Sequence, residues 1–183
     1  MKRKPVVLID MDDTSADFCR HPVFTGMIVN DHNCTAMYEP GFFLSLQPVD
    51  GALKAIRQII RMGYDVQIAT QPVAESPHCY AEKIKWLGMW FPELVSKVNM
   101  VQDKGILKAD YLIDDRADKW KEKFEANGGK FIHFRYNSPW SHNGTTGTNA
   151  REWQRIVKFL EDEKNQEQNQ IDRVTHARRE DFE

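Results

Sequence analysis

A short apolar segment that ends in a cluster of carboxylates constrains the fold of this chain most strongly. Residues 6–9 are Val-Val-Leu-Ile, the composition of a buried strand, and they are followed by Asp10-Met11-Asp12-Asp13-Thr14. Because buried parallel strands bring their C-terminal ends to the ligand-binding edge of an α/β sheet, we expect these carboxylates at that edge. Asp10 and Asp12 would point the same way in an extended chain, where their repulsion requires a nearby cation. Mg²⁺ prefers oxygen ligands and is the simplest candidate.

Strand-like and helix-like segments alternate along the rest of the chain. One helical segment has apolar residues at helical spacing from Leu53 to Ile60, with Asp50 as its predicted N-cap and Gly63 as its C-terminal glycine. This alternation predicts an α/β fold with a mostly parallel sheet and right-handed crossovers. Further strands are predicted at 64–69, 97–101, 109–113 and 131–134, further helices at 78–87, 120–126 and 150–163, and a loop at 137–149.

The length of 183 residues suits one domain with a small insertion. We predict a core over 1–160, in which 15–47 forms a small cap insertion, because this stretch mixes aromatic and turn residues without a clean period. Residues 161–183 form a highly polar tail of mixed charge, which is either a solvated helix or disordered.

Composition narrows the partners and the compartment. The formal net charge of −2 provides no general basic field, so stable nucleic-acid binding is not expected. The apolar run at the N-terminus is too short for a signal sequence or a membrane span. Three cysteines without an export signal predict reduced thiols and a cytoplasmic location. Zinc stays a minor alternative, because two close pairs lack zinc-finger spacing: Cys19 with His21, and His32 with Cys34.

Polar residues follow four of the predicted strands. They are the Asp10-Met11-Asp12 segment, Thr70, Lys104 and the Asp114-Asp115 pair. In a parallel sheet these strand ends share one edge, which would collect carboxylates, a hydroxyl and an ammonium. Phosphoryl transfer needs such groups for charge neutralisation, oxygen donation and nucleophilic attack.

In order and type, these motifs resemble those of the haloacid dehalogenase superfamily, whose members have a three-layer, Rossmann-like fold. A closer resemblance is to the 5'(3')-deoxyribonucleotidases, or cytosolic C-type 5'-nucleotidases. It is carried by 16–18, 42–48, 82–87 and 103–118, in addition to the four motifs. The resemblance implies Mg²⁺-dependent dephosphorylation of nucleoside monophosphates, which would make a small nucleotide the partner. The sequence leaves a homo-oligomer open.

The resemblance also implies roles for the acidic residues. Asp10 would be the nucleophile that forms an aspartyl-phosphate, and Asp12 would be the general acid and base. Mg²⁺ would be held by Asp10, the carbonyl of Asp12 and Asp114, with Asp115 acting through water.

The substrate would be bound by a second group of residues. By the same resemblance, Thr70, Lys104 and backbone N–H groups near Gln71 would hold the phosphate. Phe18 and Phe43 would line the nucleoside pocket, where an aromatic face suits a base. Core or cap packing is the alternative for both phenylalanines.

The chain departs from the family in its cap and at two motif positions. The segment 15–42 is shorter and less helical than in the family, Asp13 stands where glycine is frequent, and Gln71 replaces a small hydroxyl residue. The cap shapes the leaving-group pocket, so a sugar phosphate or a 3'-phosphate end of an oligonucleotide remains an alternative substrate. A non-catalytic phosphate-binding module is a further alternative, disfavoured because all four motifs are intact. A signalling module is disfavoured by motif order, because the acidic pair here follows Lys104 instead of coming first.

Overall fold

The computed structural model describes residues 3–24, 35–137 and 147–180, and side chains up to residue 173. These residues form one five-stranded parallel sheet, in which the first strand of the chain is central, the second and fourth strands flank it, and the third and fifth strands form the edges. The predicted parallel α/β sheet is therefore confirmed. The strands are β1 (Val6–Ile9), β2 (Asp65–Thr70), β3 (Val98–Met100), β4 (Tyr111–Asp114) and β5 (Lys130–His133).

Helices cover both faces of the sheet and produce three layers. Val7 and Ile9 of β1 join a large core cluster on one face of the sheet, whereas Leu8 joins a smaller cluster with Trp120 and Phe124 on the other face. The alternation follows from the two-residue period of a strand. The helices are α1 (Phe42–Ser45), α2 (Ala52–Arg61), α3 (Cys79–Trp90), α4 (Ala117–Ala126) and α5 (Thr148–Glu180).

Several helix boundaries differ from the sequence prediction. The prediction that Asp50 is the N-cap of α2 is wrong. The helix begins at Ala52, and its N-cap is Gly51, which has a φ of 88°. The left-handed Gly63 does follow the end of α2, as predicted. Helix α3 continues through the exposed Gly88 to Trp90 and stops where Pro92 begins a 3₁₀ turn. Helix α4 begins at Ala117, three residues before the predicted start.

The polar tail continues α5 as a helix. Its early turns pack through Trp153, Ile156 and Leu160, which belong to the large core cluster, while the described side chains after Glu167 are exposed. Most of the predicted loop at 137–149 lies outside the described residues, as do His32 and Cys34 of the zinc alternative. No helix among the described ranges has the length and hydrophobicity needed to cross a bilayer.

A glycine at the start of α2 sets how closely this helix approaches α5. A Cβ at Gly51 would lie 2.9 Å from the Cα of Ala150, and the residue has a left-handed φ. Gly128 has a similar φ of +86°, but a Cβ there would meet no atom within 4 Å. An alanine at Gly51 would therefore cause both backbone strain and steric overlap, whereas an alanine at Gly128 would cause backbone strain alone.

We expect Gly51→Ala to reduce the free energy of unfolding by about 3 kcal/mol, since strain and overlap add. Gly128→Ala should cost about 1 kcal/mol, because it introduces backbone strain without overlap. Urea unfolding followed by circular dichroism measures both values. Equal losses would contradict the close contact between α2 and α5.

Candidate active site

A tight turn immediately after β1 separates the first two acidic side chains. The carbonyl of Met11 accepts hydrogen bonds from the backbone N–H groups of Ser15 (2.8 Å) and Ala16 (2.7 Å). The hydroxyl of Ser15 also donates to the carbonyl of Asp10 (2.7 Å). The extended geometry of β1 does not continue, and Asp10 and Asp12 each pair with a different lysine.

Lys104 joins the ends of β1 and β4. Its Nζ donates to a carboxylate oxygen of Asp10 and to Oδ2 of Asp114 (2.7 Å), and all three side chains are buried. Lys104 begins a 3₁₀ turn whose first residues are fixed by Asp103, which accepts the N–H of Gly105 (2.9 Å). Although burial alone would lower the pKa of Lys104, the charges of its two carboxylate partners raise it. The lysine is therefore held as a cation.

Three carboxylates lie close enough to share a metal ion. One oxygen from each of Asp10, Asp114 and Asp115 lies within 4.8 Å of the others. Burial raises the pKa of Asp115, and the neighbouring charges of Asp10 and Asp114 raise it further. Burial also raises the pKa of Asp10, against the opposing charge of Lys104. Three carboxylates against one ammonium leave excess negative charge, and hard oxygen ligands suit a divalent cation such as Mg²⁺.

A second buried lysine, which the sequence analysis did not assign, holds the other side of the site. The side chain of Lys83 on α3 is fully buried, and its Nζ donates to Oδ2 of Asp12 (2.7 Å) and to Oγ1 of Thr70 (2.8 Å). It also donates to the backbone carbonyl of Gln71 (2.8 Å). The signal in the sequence was its spacing, because Lys83 falls on the same helical stripe as the buried Cys79 and Trp86. A lysine on a buried stripe needs partners.

The contact with Lys83 leaves the other carboxylate oxygen of Asp12 without a hydrogen-bond partner in the part of the chain that the structure describes. Oδ1 of Asp12 is buried and has no hydrogen-bond partner among the described residues, although the side chain as a whole is 30% exposed. Lys83 thus orients this carboxyl group through Oδ2, and part of the side chain stays accessible from the site.

Gln71 is held by its side chain as well as by its carbonyl. Its Oε1 accepts from Nζ of Lys119 (2.7 Å), and its Nε2 donates to Oε1 of Gln102 (2.9 Å). The side chain of Gln71 therefore extends the strand-end polar groups towards the start of α4.

Asp13 has a structural explanation. Its φ of 54° is in the left-handed region, where aspartate is tolerated better than most residues, and this accounts for its place at a position where glycine is frequent. Its carboxylate accepts hydrogen bonds from the backbone N–H and the thiol of Cys19, both at 2.9 Å. This contact ties the turn after β1 to the start of the predicted cap.

The two predicted pocket residues lie in one aromatic cluster with Phe42. The ring of Phe18 lies 5.0 Å from that of Phe42 and 6.3 Å from that of Phe43. Phe18 is half-buried, whereas Phe43 has no exposed surface and its ring lies 5.0 Å from Nζ of Lys83. Phe18 therefore keeps some exposed surface, whereas Phe43 is enclosed in the large core cluster.

The site residues come from segments far apart in the chain, and the structure brings most of them together. Asp10, Lys104, Asp114 and Asp115 form one cluster, and Asp12, Thr70 and Gln71 meet around Lys83. Their catalytic roles stay predictions at this point.

Comparisons with known proteins agree with this arrangement. The family model described as "5' nucleotidase, deoxy (Pyrimidine), cytosolic type C protein" matches residues 28–166, a range that includes Thr70, Lys104 and Asp114 but begins after Asp10. A candidate 5'(3')-deoxyribonucleotidase of Bordetella bronchiseptica is 27% identical over 180 residues, covering 83% of this chain and 95% of that protein.

Mammalian relatives match shorter portions. The human 5'(3')-deoxyribonucleotidase of cytosolic type is 38% identical over 84 residues, which cover 44% of this chain and 42% of the human protein. The mouse mitochondrial 5'(3')-deoxyribonucleotidase is 30% identical over 142 residues, which cover 61% of this chain and 64% of the mouse protein. Among solved structures, a haloacid dehalogenase-like hydrolase from Xanthomonas campestris has a similar fold, with a TM-score of 0.52 and 15% identity. The match covers 90% of this chain and 94% of the Xanthomonas chain.

In the absence of divalent cations, we expect the folded protein to lose stability as the pH rises. Because the pKa of Asp115 is higher in the folded than in the unfolded protein, the folded state keeps a proton that the unfolded state releases above about pH 4. The free energy of unfolding, measured by urea titration in EDTA, should therefore fall from about pH 4 to about pH 9, the pKa of Asp115 in the folded protein.

Asp115→Asn should reduce this pH dependence, because it removes the ionisable group. Asp118→Asn alters an exposed residue at the start of α4 and should keep the wild-type slope. A wild-type slope in the Asp115 variant would contradict the raised pKa.

Proposed function

The chain belongs to the family of cytosolic type C 5'-nucleotidases, and on this premise we propose that it hydrolyses the phosphate ester of (deoxy)ribonucleoside monophosphates. The observation that carries the proposal is the buried Asp10–Lys104–Asp114 arrangement beside the Asp12–Lys83–Thr70 group. A nucleophile, a phosphate-binding cation, a metal-binding cluster and an oriented carboxyl group are the groups that phosphomonoester hydrolysis requires.

In the proposed first step, the Asp10 carboxylate attacks phosphorus while the bond from phosphorus to the leaving oxygen breaks. Asp12 donates a proton to that oxygen, and the nucleoside leaves as an alcohol. Lys83 supports this step by fixing one oxygen of Asp12.

In the second step, water attacks phosphorus of the aspartyl-phosphate on Asp10, and Asp12 accepts a proton from that water. The bond between phosphorus and Asp10 breaks, which releases inorganic phosphate and restores both carboxyl groups. Thr70, Lys104 and the backbone around Gln71 hold the phosphoryl oxygens during both steps, since Lys104 lies next to the nucleophile and Thr70 next to the acid.

The acidic cluster fits Mg²⁺ as the cofactor. Asp10, Asp114 and Asp115 would bind it together with the backbone carbonyl of Asp12. When bound, Mg²⁺ would neutralise negative charge on the phosphoryl group and reduce repulsion between that group and the Asp10 carboxylate.

The leaving-group side of the site favours a substrate with an aromatic base. The half-buried Phe18 lies in the aromatic cluster next to the turn that carries Asp12 and Asp13. A cytoplasmic location accords with the cytosolic human relative. It remains part of the proposal, as does the absence of stable nucleic-acid binding.

A panel of phosphate esters tests the function. With Mg²⁺ present, phosphate release should be fastest from deoxyribonucleoside monophosphates, slower from sugar phosphates and 3'-phosphorylated oligonucleotides, and abolished by excess EDTA. Colorimetric phosphate detection measures the rates. A sugar phosphate as the best substrate would assign a different leaving group, and an EDTA-resistant rate would exclude the metal-assisted mechanism.

We expect Asp10→Asn to lower kcat by at least about 10³-fold, because the amide cannot form the covalent intermediate. The variant should fold, since asparagine has the same shape and removes a buried charge. Asp118→Asn is the matched control and should retain wild-type turnover. Steady-state kinetics and circular dichroism check both, and substantial activity in a folded Asp10 variant would exclude this residue as the nucleophile.

A further inference from the structure

Helix α3 holds the short helix α1 at both of its ends. At the first turn of α1, the Glu82 carboxylate accepts the backbone N–H groups of Gly41 (2.5 Å) and Phe43 (3.0 Å). At the last turn, the indole N–H of Trp86 donates to the carbonyl of Leu46 (2.8 Å). Both α3 side chains are buried. One turn of α3 therefore fixes the position of α1 along its whole length.

Glu82 supplies a cap that α1 lacks in its own sequence. Gly41 occupies the N-cap position and has no side chain to accept a hydrogen bond from the first turn. A buried carboxylate needs donors, and the two backbone N–H groups satisfy one oxygen each. The contact is specific to the charged carboxylate, because a neutral amide offers an acceptor on one side and a donor on the other.

The residue next to Glu82 holds the catalytic carboxyl group. Lys83 donates to Asp12 and Thr70 while its ammonium lies 5.0 Å from the ring of Phe43. Of these two consecutive residues of α3, Glu82 fixes α1, and Lys83 fixes the side chain of Asp12, the proposed general acid. The distance between the pocket and the acid is set by one rigid helix.

We propose that Glu82 is a positioning residue for leaving-group selection, an inference that rests on the proposed function. It acts through α1, whose Phe42 and Phe43 rings contact Phe18 at 5.0 Å and 6.3 Å. When the first turn of α1 is fixed, the exposed part of Phe18 lies at a defined distance from Asp12. An ester with a large, flat leaving group uses this surface, whereas a small synthetic ester depends mainly on the phosphate-binding groups.

The main variant is Glu82→Gln, which keeps the side-chain size but leaves one of the two N–H groups without an acceptor. We expect kcat/KM for the phosphate ester that the wild-type protein hydrolyses best to fall about tenfold, the effect of losing one charged hydrogen bond. For p-nitrophenyl phosphate the fall should be at least about fivefold smaller, since Lys83 stays in place. Glu75→Gln, at an exposed position before α3, is the matched control.

Two further measurements separate positioning from general stability. Amide hydrogen exchange should become faster over residues 41–46 in Glu82→Gln and stay unchanged over the rest of α3. In a double-mutant cycle with Phe18→Ala, the two losses in selectivity should not add, because Glu82 acts through the aromatic cluster. Additive losses, or equal losses for both esters, would overturn the proposal.

A second variant keeps the proposal testable if Glu82→Gln does not fold. Gly41→Ala strains the first turn of α1 from the other side, since Gly41 has φ of +88° and open space around its Cβ position. It should lower selectivity in the same direction, whereas Gly128→Ala, with a similar φ and open space, should not. An unchanged preference in Gly41→Ala would overturn the proposal. If the best ester is not a nucleotide, the proposed function fails and this test still stands.

Discussion

The buried ion group around Lys104 determines how the rest of the site is arranged. Its ammonium bridges two carboxylates at the ends of adjacent strands, so the ends of β1 and β4 are joined by charge as well as by backbone pairing. Without that cation, Asp10 and Asp114 would face each other across a space with little water, at a large electrostatic cost. The same excess of negative charge makes the cluster suitable for a divalent cation. The stability of the fold and the proposed binding of Mg²⁺ therefore depend on the same buried groups.

Two lysines divide the site into functional halves. Lys104 pairs with Asp10 and Asp114, the proposed nucleophile and a proposed metal ligand, whereas Lys83 pairs with Asp12, the proposed acid, and with Thr70 at the end of β2. Each reaches the site from a different element, a 3₁₀ turn in one case and a long helix in the other. Because the two groups are supported separately, a change near Phe18 and Phe43 would leave the proposed phosphate-binding groups in place.

Local pattern predicted the strands and the order of their polar ends, because hydrophobic periodicity and abrupt strand termination are visible in a few adjacent residues. The three partners of Lys83 could not be predicted in this way, since they lie 12, 13 and 71 residues away in the chain. The same reason applies to the support of α1 by Glu82. Helix boundaries were less accurate: Gly88 suggested an end to α3, but the helix continues to Trp90, which packs against the large core cluster. The aromatic residues were the hardest to interpret, because burial alone distinguishes Phe43 from Phe18.

Helix α5 runs away from the acidic cluster, so its C-terminal part lies far from the candidate active site. Its contacts are made at the starts of strands: Leu160 accepts from Tyr64 just before β2, and Glu163 pairs with Lys130 at the first residue of β5. The strand ends that carry the acidic cluster lie at the opposite edge of the sheet. Residues 164–180 extend beyond these contacts as a helical arm of about 25 Å. A tether, tag or second protein attached to this arm would be held on the far side of the molecule, where it leaves substrate access unobstructed.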